Sequence, residues 1–339
     1  MSSVTTVAAE HGAPSHDATH STVCVQLPDI LSICSPFELR TNRHCKAVSQ
    51  ASEKWLTDSG SRALASMNWR SLKVGLLAAA CYPTADVPQL KLITDVLSLL
   101  IYQIDHTNQD IPTQDSGVTD AASSDSERDI FSLLSDRLTR VAYRHPAWYM
   151  RFCKSQLAFC EARCEVSMPG VTDLENYMAF RRKESGFLMT ICMIEYARDL
   201  KIPESILESE SLQKLQNHAC DIAILSEDIV SCAKGTSVEH PNVVTVLRST
   251  ETLSLEGALA VAETTTRKKV DAFVDVERTV LENLATASQP ISMDVRSYIQ
   301  GLRDWVSGFV NWLYETHRYL GEKGSKVRAF GWVFIPVNS

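Results

Sequence analysis

Leu97 to Asp110 reads LSLLIYQIDHTNQD. The stretch continues an apolar pattern that begins near Val87, and it predicts one long buried helix from Val87 to about Thr107. That helix runs straight into an acidic, polar end at Asp105. An apolar helix with a carboxylate at its end suits the wall of a buried cavity with a metal at its rim. Taken alone, Asp105 reads better as a cap or a salt-bridge partner near a loop.

Working outward, the chain around this helix is rich in helix formers and poor in punctuation. Its 339 residues are 45% hydrophobic, with 13 glycines and 12 prolines, and β-branched alternation is scarce. This favours an all-α fold with one large core. The net charge is −8, from 41 acids against 33 bases, with no strong Lys/Arg cluster. A nucleic-acid partner is therefore not expected. An acidic protein that handles an anionic substrate needs a local metal or arginine cluster. The ten cysteines show no paired zinc-site spacing and mostly fall inside apolar helical patterns. They read as reduced core thiols of a cytoplasmic protein. No uninterrupted apolar run reaches the length of a membrane span, so stable membrane insertion is not expected.

Along the chain, residues 1–26 read as a disordered tail, 27–325 as a single helical domain and 326–339 as a C-terminal tail. Residues 27–43, with two prolines, look like an extended strap. Pro83 breaks a short apolar helix (Leu72–Cys81) before the long one. Asp110 to Arg128 reads as an acidic loop. Thr172 with Glu175 suggests a capping box for the next helix, with a kink near Ser185-Gly186. Leu212 to Ala233 is a long apolar helix carrying Asp221, Glu227 and Asp228, and Gly235 is placed to end it. Pro290 is expected to separate the helix 255–285 from a last helix, Met293–Leu320, with Trp305, Phe309 and Trp312 on one stripe. The whole predicts a single helical bundle around a central pocket.

Four spaced segments then form a pattern: Ala80-Cys81-Tyr82-Pro83-Thr84-Ala85-Asp86 leading to Ile104-Asp105; Tyr177 to Gly186; Leu225 to Gly235; and Asn311 to Gly321. Together they resemble the class I terpene synthases, especially the sesquiterpene synthases of higher fungi, over roughly residues 27–325. The resemblance implies the all-α terpenoid synthase fold, a prenyl diphosphate substrate (farnesyl diphosphate foremost) and Mg²⁺ as cofactor, in a monomer or homodimer. It makes Asp105 the first acid of the aspartate-rich motif, with His106 and Gln109 where further acids stand in the family. Asp110 falls one residue late, about 100° further round a regular helix. It makes Arg181 the diphosphate sensor, Glu184 its linker and Ser185 the hinge. An arginine suits the sensor role because its planar fork gives two hydrogen bonds to phosphate.

Glu227 and Ser231, at i and i+4, take the first two ligand positions of the second metal motif; Gly235 stands where its acid would be. Glu227 follows Arg181 by 46 residues, close to the family's spacing. Lys234 matches a diphosphate-contacting lysine, and Arg318 and Tyr319 match the C-terminal Arg-Tyr pair. Residues 35–42 resemble the strap that covers the site. Tyr102, Phe180, Trp305 and Trp312 are candidate aromatic faces for a carbocation. The resemblance implies ionisation of farnesyl diphosphate to a sesquiterpene hydrocarbon or alcohol. The altered metal motifs leave an alternative, a slow or silent homologue that binds prenyl diphosphate.

Overall fold

Long stretches with a 3.6-residue apolar period and few breakers fold as helices packed on one another, and the structure follows that rule. It is a computed structural model that describes residues 22–106, 130–164, 173–234, 242–284 and 289–336. The first half runs β1 (Thr22–Gln26), α1 (Ile30–Ile33), α2 (Cys45–Thr57), α3 (Arg62–Ser66), α4 (Trp69–Leu72), α5 (Val74–Cys81) and α6 (Val87–His106). Next come α7 (Ser135–Arg144), α8 (Pro146–Cys164), α9 (Leu174–Glu184), α10 (Phe187–Ala197), α11 (Glu204–Leu207) and α12 (Glu210–Ser231). The chain ends with α13 (Val243–Thr250), α14 (Leu255–Asn283), α15 (Gln289–Glu315), α16 (His317–Leu320), α17 (Gly324–Phe330) and β2 (Trp332–Pro336).

Helix α6 is buried all round: every residue from Leu92 to Tyr102 is shielded from water. Its 20 residues and mean hydropathy of 1.2 are enough to cross a bilayer, but here α2, α5 and α10 pack against it as core. The one acid deep inside it, Asp95, would be costly unpaired. It is met by Ser52 Oγ and Lys91 Nζ, each at 2.5 Å, and by Arg137. Helix α15 lies directly on α5. A Cβ at Gly308 would stand 2.5 Å from the carbonyl carbon of Ala80, so glycine lets the two backbones touch there. Helix α12, buried without interruption from Ala219 to Ser226, packs between α14 and α15.

The strap is anchored by specific bonds. Arg40 reaches Asp304 of α15 at 2.5 Å, and Arg198 binds the same carboxylate. Asn42 donates from its backbone to Ala79 O and from Nδ2 to Ala85 O, which pins the turn before α6.

Several expectations need correction. The chain ends are not both tails: Thr22–Gln26 pairs antiparallel with Trp332–Pro336, and α17 runs past residue 326 to Phe330. In this ribbon Val25, Val333 and Ile335 turn inward while Cys24, Trp332 and Phe334 face out, the two-residue period of a half-buried strand. The strap also contains a helical turn, α1, capped by the Asp29 side chain on Ser32 N. Asp173, not Thr172, caps α9, accepting from Asn176 N. Thr172 lies outside the described residues, as do Asp110 and Gly235. Pro290 does not separate helices. It sits in the first turn of α15, where a missing N–H costs nothing. That helix stops instead at Glu315, because Thr316 Oγ1 accepts from Arg318 N and starts a new turn. All ten cysteines carry free thiols, and Cys34, Cys81, Cys192, Cys220 and Cys232 are buried.

Candidate active site

The two helix breaks build the site. Between α9 and α10, Gly186 adopts φ 72°, a left-handed turn that a glycine takes without strain. Arg181 and Glu184 therefore end one helix, with Ser185 as its C-cap, while Phe187 begins the next. The break at Thr316 turns Arg318 and Tyr319 back towards the bundle. Both segments meet the end of α6 and the last turns of α12 around one opening.

Below the opening lies a cavity of about 40 Å³. Its walls include Leu100 and Ile101 of α6, Phe187 of α10, and Trp305, Phe309 and Trp312 of α15. Phe187 meets Trp305 and Phe309 edge-on, with ring centroids 5.4 and 4.9 Å apart. Trp305 and Trp312 stand where the sequence suggested. Tyr102 does not line the cavity; it stacks on His106 with centroids 4.0 Å apart. Phe180 is not in the wall either, whereas Phe187, Phe309 and Tyr82 are. At the far end Tyr82 OH donates to Thr190 O at 2.6 Å, and Trp305 Nε1 donates to Thr190 Oγ1 at 3.2 Å. A larger groove of about 430 Å³ lies elsewhere, between α14, α17 and residues 26–31; none of the mouth residues line it.

At the mouth the predicted residues pair with one another. Arg318 Nη1 donates to Asp105 Oδ2 at 2.5 Å, and its Nε donates to Tyr319 OH at 3.2 Å. Tyr319 OH donates to Glu227 Oε1 at 2.6 Å. Glu227 Oε2 accepts from Arg181 Nη2 at 3.3 Å, and Arg181 Nη1 grips Glu184. Burial alone would lower the Arg181 pKa. Tyr177, Glu184, Asp228 and Glu227 more than reverse this, so the guanidinium is held firmly charged. Arg318 is likewise raised, by Tyr319, Asp105 and Glu227 against burial. Lys234 is exposed as a residue, yet its amine stands 5.0 Å from the Tyr319 ring centroid. Lost hydration and then Arg318 lower its pKa, while Asp105 and Glu227 act in the other direction.

Asp228, beside Glu227, faces inward. It accepts from Tyr177 OH at 2.5 Å and from Val243 N at 2.9 Å, and burial raises its pKa to about 6. Ser231 Oγ donates to Asp228 O at 2.9 Å. Ser185 Oγ accepts from Phe187 N at 3.3 Å, tying the hinge to the start of α10. Arg182, next to the sensor, is turned away onto Asp221 at 2.6 Å. Sequence reasoning missed Arg163 of α8. Its side chain is 5% exposed; it grips Glu184 and donates from Nη2 to Ile104 O at 2.9 Å. No motif spacing marks it; the hint is an arginine set among Cys160, Ala162 and Cys164.

For a divalent cation, Asp105, Glu227 and Ser231 offer hard oxygen donors of the right kind. The two carboxylates face the same mouth, joined through Arg318 and Tyr319. His106 Nδ1 meets Tyr102 O at 2.8 Å, so only its Nε2 could serve as a ligand. Among the described residues no three acids, histidines or cysteines form a ready metal cluster. The donor set therefore fits a metal in chemistry, with fewer ligands than two full motifs would supply.

A helical bundle with an aromatic-lined cavity and facing bases and acids at its mouth is the class I terpenoid synthase architecture. Solved structures agree on the fold. The chain aligns with germacradien-4-ol synthase from Streptomyces citricolor at TM-score 0.67 and 20% identity, covering 82% of this chain and 96% of that one. Cucumene synthase aligns at TM-score 0.65 and 22% identity, covering 82% and 98%. Residues 106–272 match the family described as terpene synthase family 2, C-terminal metal binding. The sesquiterpene synthase Agr1 of Cyclocybe aegerita is 30% identical over 332 residues, covering 93% of this chain and 94% of that protein. Sesquiterpene synthase 6 of Postia placenta is 29% identical over 329 residues, covering 90% and 94%. The chain belongs to the terpene synthase family, enzymes that act on prenyl diphosphates.

Proposed function

We propose that this enzyme ionises farnesyl diphosphate with Mg²⁺ and guides the resulting carbocation to a sesquiterpene hydrocarbon or alcohol. The observation that carries the reading is the meeting of Arg181, Lys234 and Arg318 with Asp105 and Glu227 at the mouth of an aromatic cavity. Bound Mg²⁺ would supply charge that draws off the leaving diphosphate, with Asp105, Glu227 and Ser231 as its protein ligands and Asp110 a further acid close in sequence.

The chain's own residues then divide the work. Arg181, Lys234 and Arg318 bind the diphosphate oxygens and stabilise the charge that develops on them. Tyr319 donates its hydroxyl at the same mouth. Glu184 holds Arg181, and Ser185 sets the turn towards the cavity. Phe187, Trp305, Phe309 and Trp312 offer ring faces to a cation and exclude water. A cavity of about 40 Å³ is far below the roughly 300–1,000 Å³ of ordinary ligand pockets. The paired mouth is thus the ligand-free arrangement, and substrate entry must widen the cavity and part the acids from the bases. The relatives named as sesquiterpene synthases support turnover over silent binding.

The test is direct. Purified protein with farnesyl diphosphate and Mg²⁺ should yield volatile sesquiterpene and inorganic diphosphate in equal amounts, and chelation by EDTA should stop both. Tight binding without any product above a heat-killed control would replace this reading with the silent-homologue one.

A further inference from the structure

We infer that Arg163 is a positioning residue that couples the metal-binding end of α6 to the diphosphate sensor; the inference rests on the function proposed above. Arg163 joins two parts of the site that share no direct bond. One arm of its guanidinium donates to Ile104 O, in the last turn of α6 and adjacent to Asp105. There it satisfies one of the carbonyls that a helix end leaves open, and its charge suits the negative pole. The other arm grips Glu184, whose second oxygen takes Arg181. The planar fork of an arginine holds two acceptors in fixed directions; a lysine amine, a point charge on a flexible stem, does not.

With Arg163 in place the contacts close into a ring. It runs from Arg318 to Asp105, through the neighbouring Ile104 carbonyl to Arg163, then Glu184, Arg181, Glu227 and Tyr319, and back to Arg318. Five helices contribute: α6, α8, α9, α12 and α16. Every member except Arg163 sits at the mouth by its own motif. Arg163 reaches it from behind, nearly buried, on a helix with no other part in the site. When diphosphate draws Arg181 forward, Glu184 and Arg163 carry that movement to the segment holding Asp105. Metal-side and sensor-side closure are then one event instead of two.

Hydrogen exchange on the ligand-free full chain tests the coupling first. Arg163→Met should speed exchange about tenfold both in residues 102–106 and in 181–187, with α12 unchanged. Faster exchange confined to α8, or loss of protection throughout the chain, would overturn the proposal. Inorganic pyrophosphate with Mg²⁺, titrated calorimetrically, is the second arm. Arg163→Met and Glu184→Gln should each weaken binding about tenfold, and the double variant should be no weaker than the worse single one. Multiplying effects would show that Arg163 does not act through Glu184. Arg163→Lys, which keeps the charge and favours folding, should recover stability but not the affinity; full recovery of both would refute the two-armed role. A wild type that ignores pyrophosphate would remove the proposed function, while the exchange experiment would still decide the part played by Arg163.

Discussion

Replacing Asp105 with asparagine separates the two tasks assigned to the mouth. Asparagine keeps the shape of the side chain and removes its charge. In the resting arrangement Asp105 competes with diphosphate for Arg318, at 2.5 Å, with the Asp105 side chain 35% exposed and that of Arg318 10%. An acid so open to water is screened, so this pair is worth about 1 kcal/mol at most. Without it, pyrophosphate should bind the metal-free protein up to about fivefold more tightly, since 1.4 kcal/mol is tenfold. Turnover with Mg²⁺ should move the opposite way, falling about a hundredfold as a metal ligand is lost. Calorimetry in EDTA measures the first quantity and diphosphate release the second. Wild-type turnover in Asp105→Asn, or weaker metal-free pyrophosphate binding, would refute the reasoning.

Three further outcomes follow from the same geometry. Gly186→Ala forces a side chain into a left-handed turn, at about 1 kcal/mol, and sets its Cβ 2.7 Å from Leu100 Cδ1 in the cavity wall; the melting temperature should drop by roughly 2–4 °C and turnover with it, and an unchanged melting temperature would contradict the hinge. Burial alone would raise the Glu184 carboxyl, but Arg181 and then Arg163 hold it below its usual 4.5. Its stabilisation is thus present above that value and lost as pH falls through the lower folded value, so Glu184→Gln should flatten melting curves on the acid side and cost about 3 kcal/mol near neutral pH. Phe309→Leu removes a ring 4.9 Å from Phe187; gas chromatography should show more early-quenched acyclic alcohol and about tenfold slower turnover, and an unchanged product profile would take Phe309 out of the cation's path.

What was legible in the chain was local. The apolar run of α6 announced a core helix, and Trp305, Phe309 and Trp312 at helical spacing announced the wall that faces it. Arg181, Arg318 and Tyr319 stood out because motif spacing is itself a local property. The missing parts are products of distance along the chain. Arg318 and Asp105 lie 213 residues apart, and neither names its partner. Thr22 pairs with Pro336 in a ribbon whose two strands carry no mutual signal, so both ends read as tails. Arg163 acquires its role only when α8 is laid against α6 and α9. Pro290 misled because a breaker in a helix interior is harmless in the first turn.

The most direct test of the whole account is a structure of the protein with inorganic pyrophosphate and Mg²⁺ bound. Arg181, Lys234 and Arg318 should lie within hydrogen-bond distance of the diphosphate, with Asp105 and Glu227 released from their bases to the metal side. A diphosphate bound away from this mouth, with the Arg318–Asp105 pair intact, would contradict it.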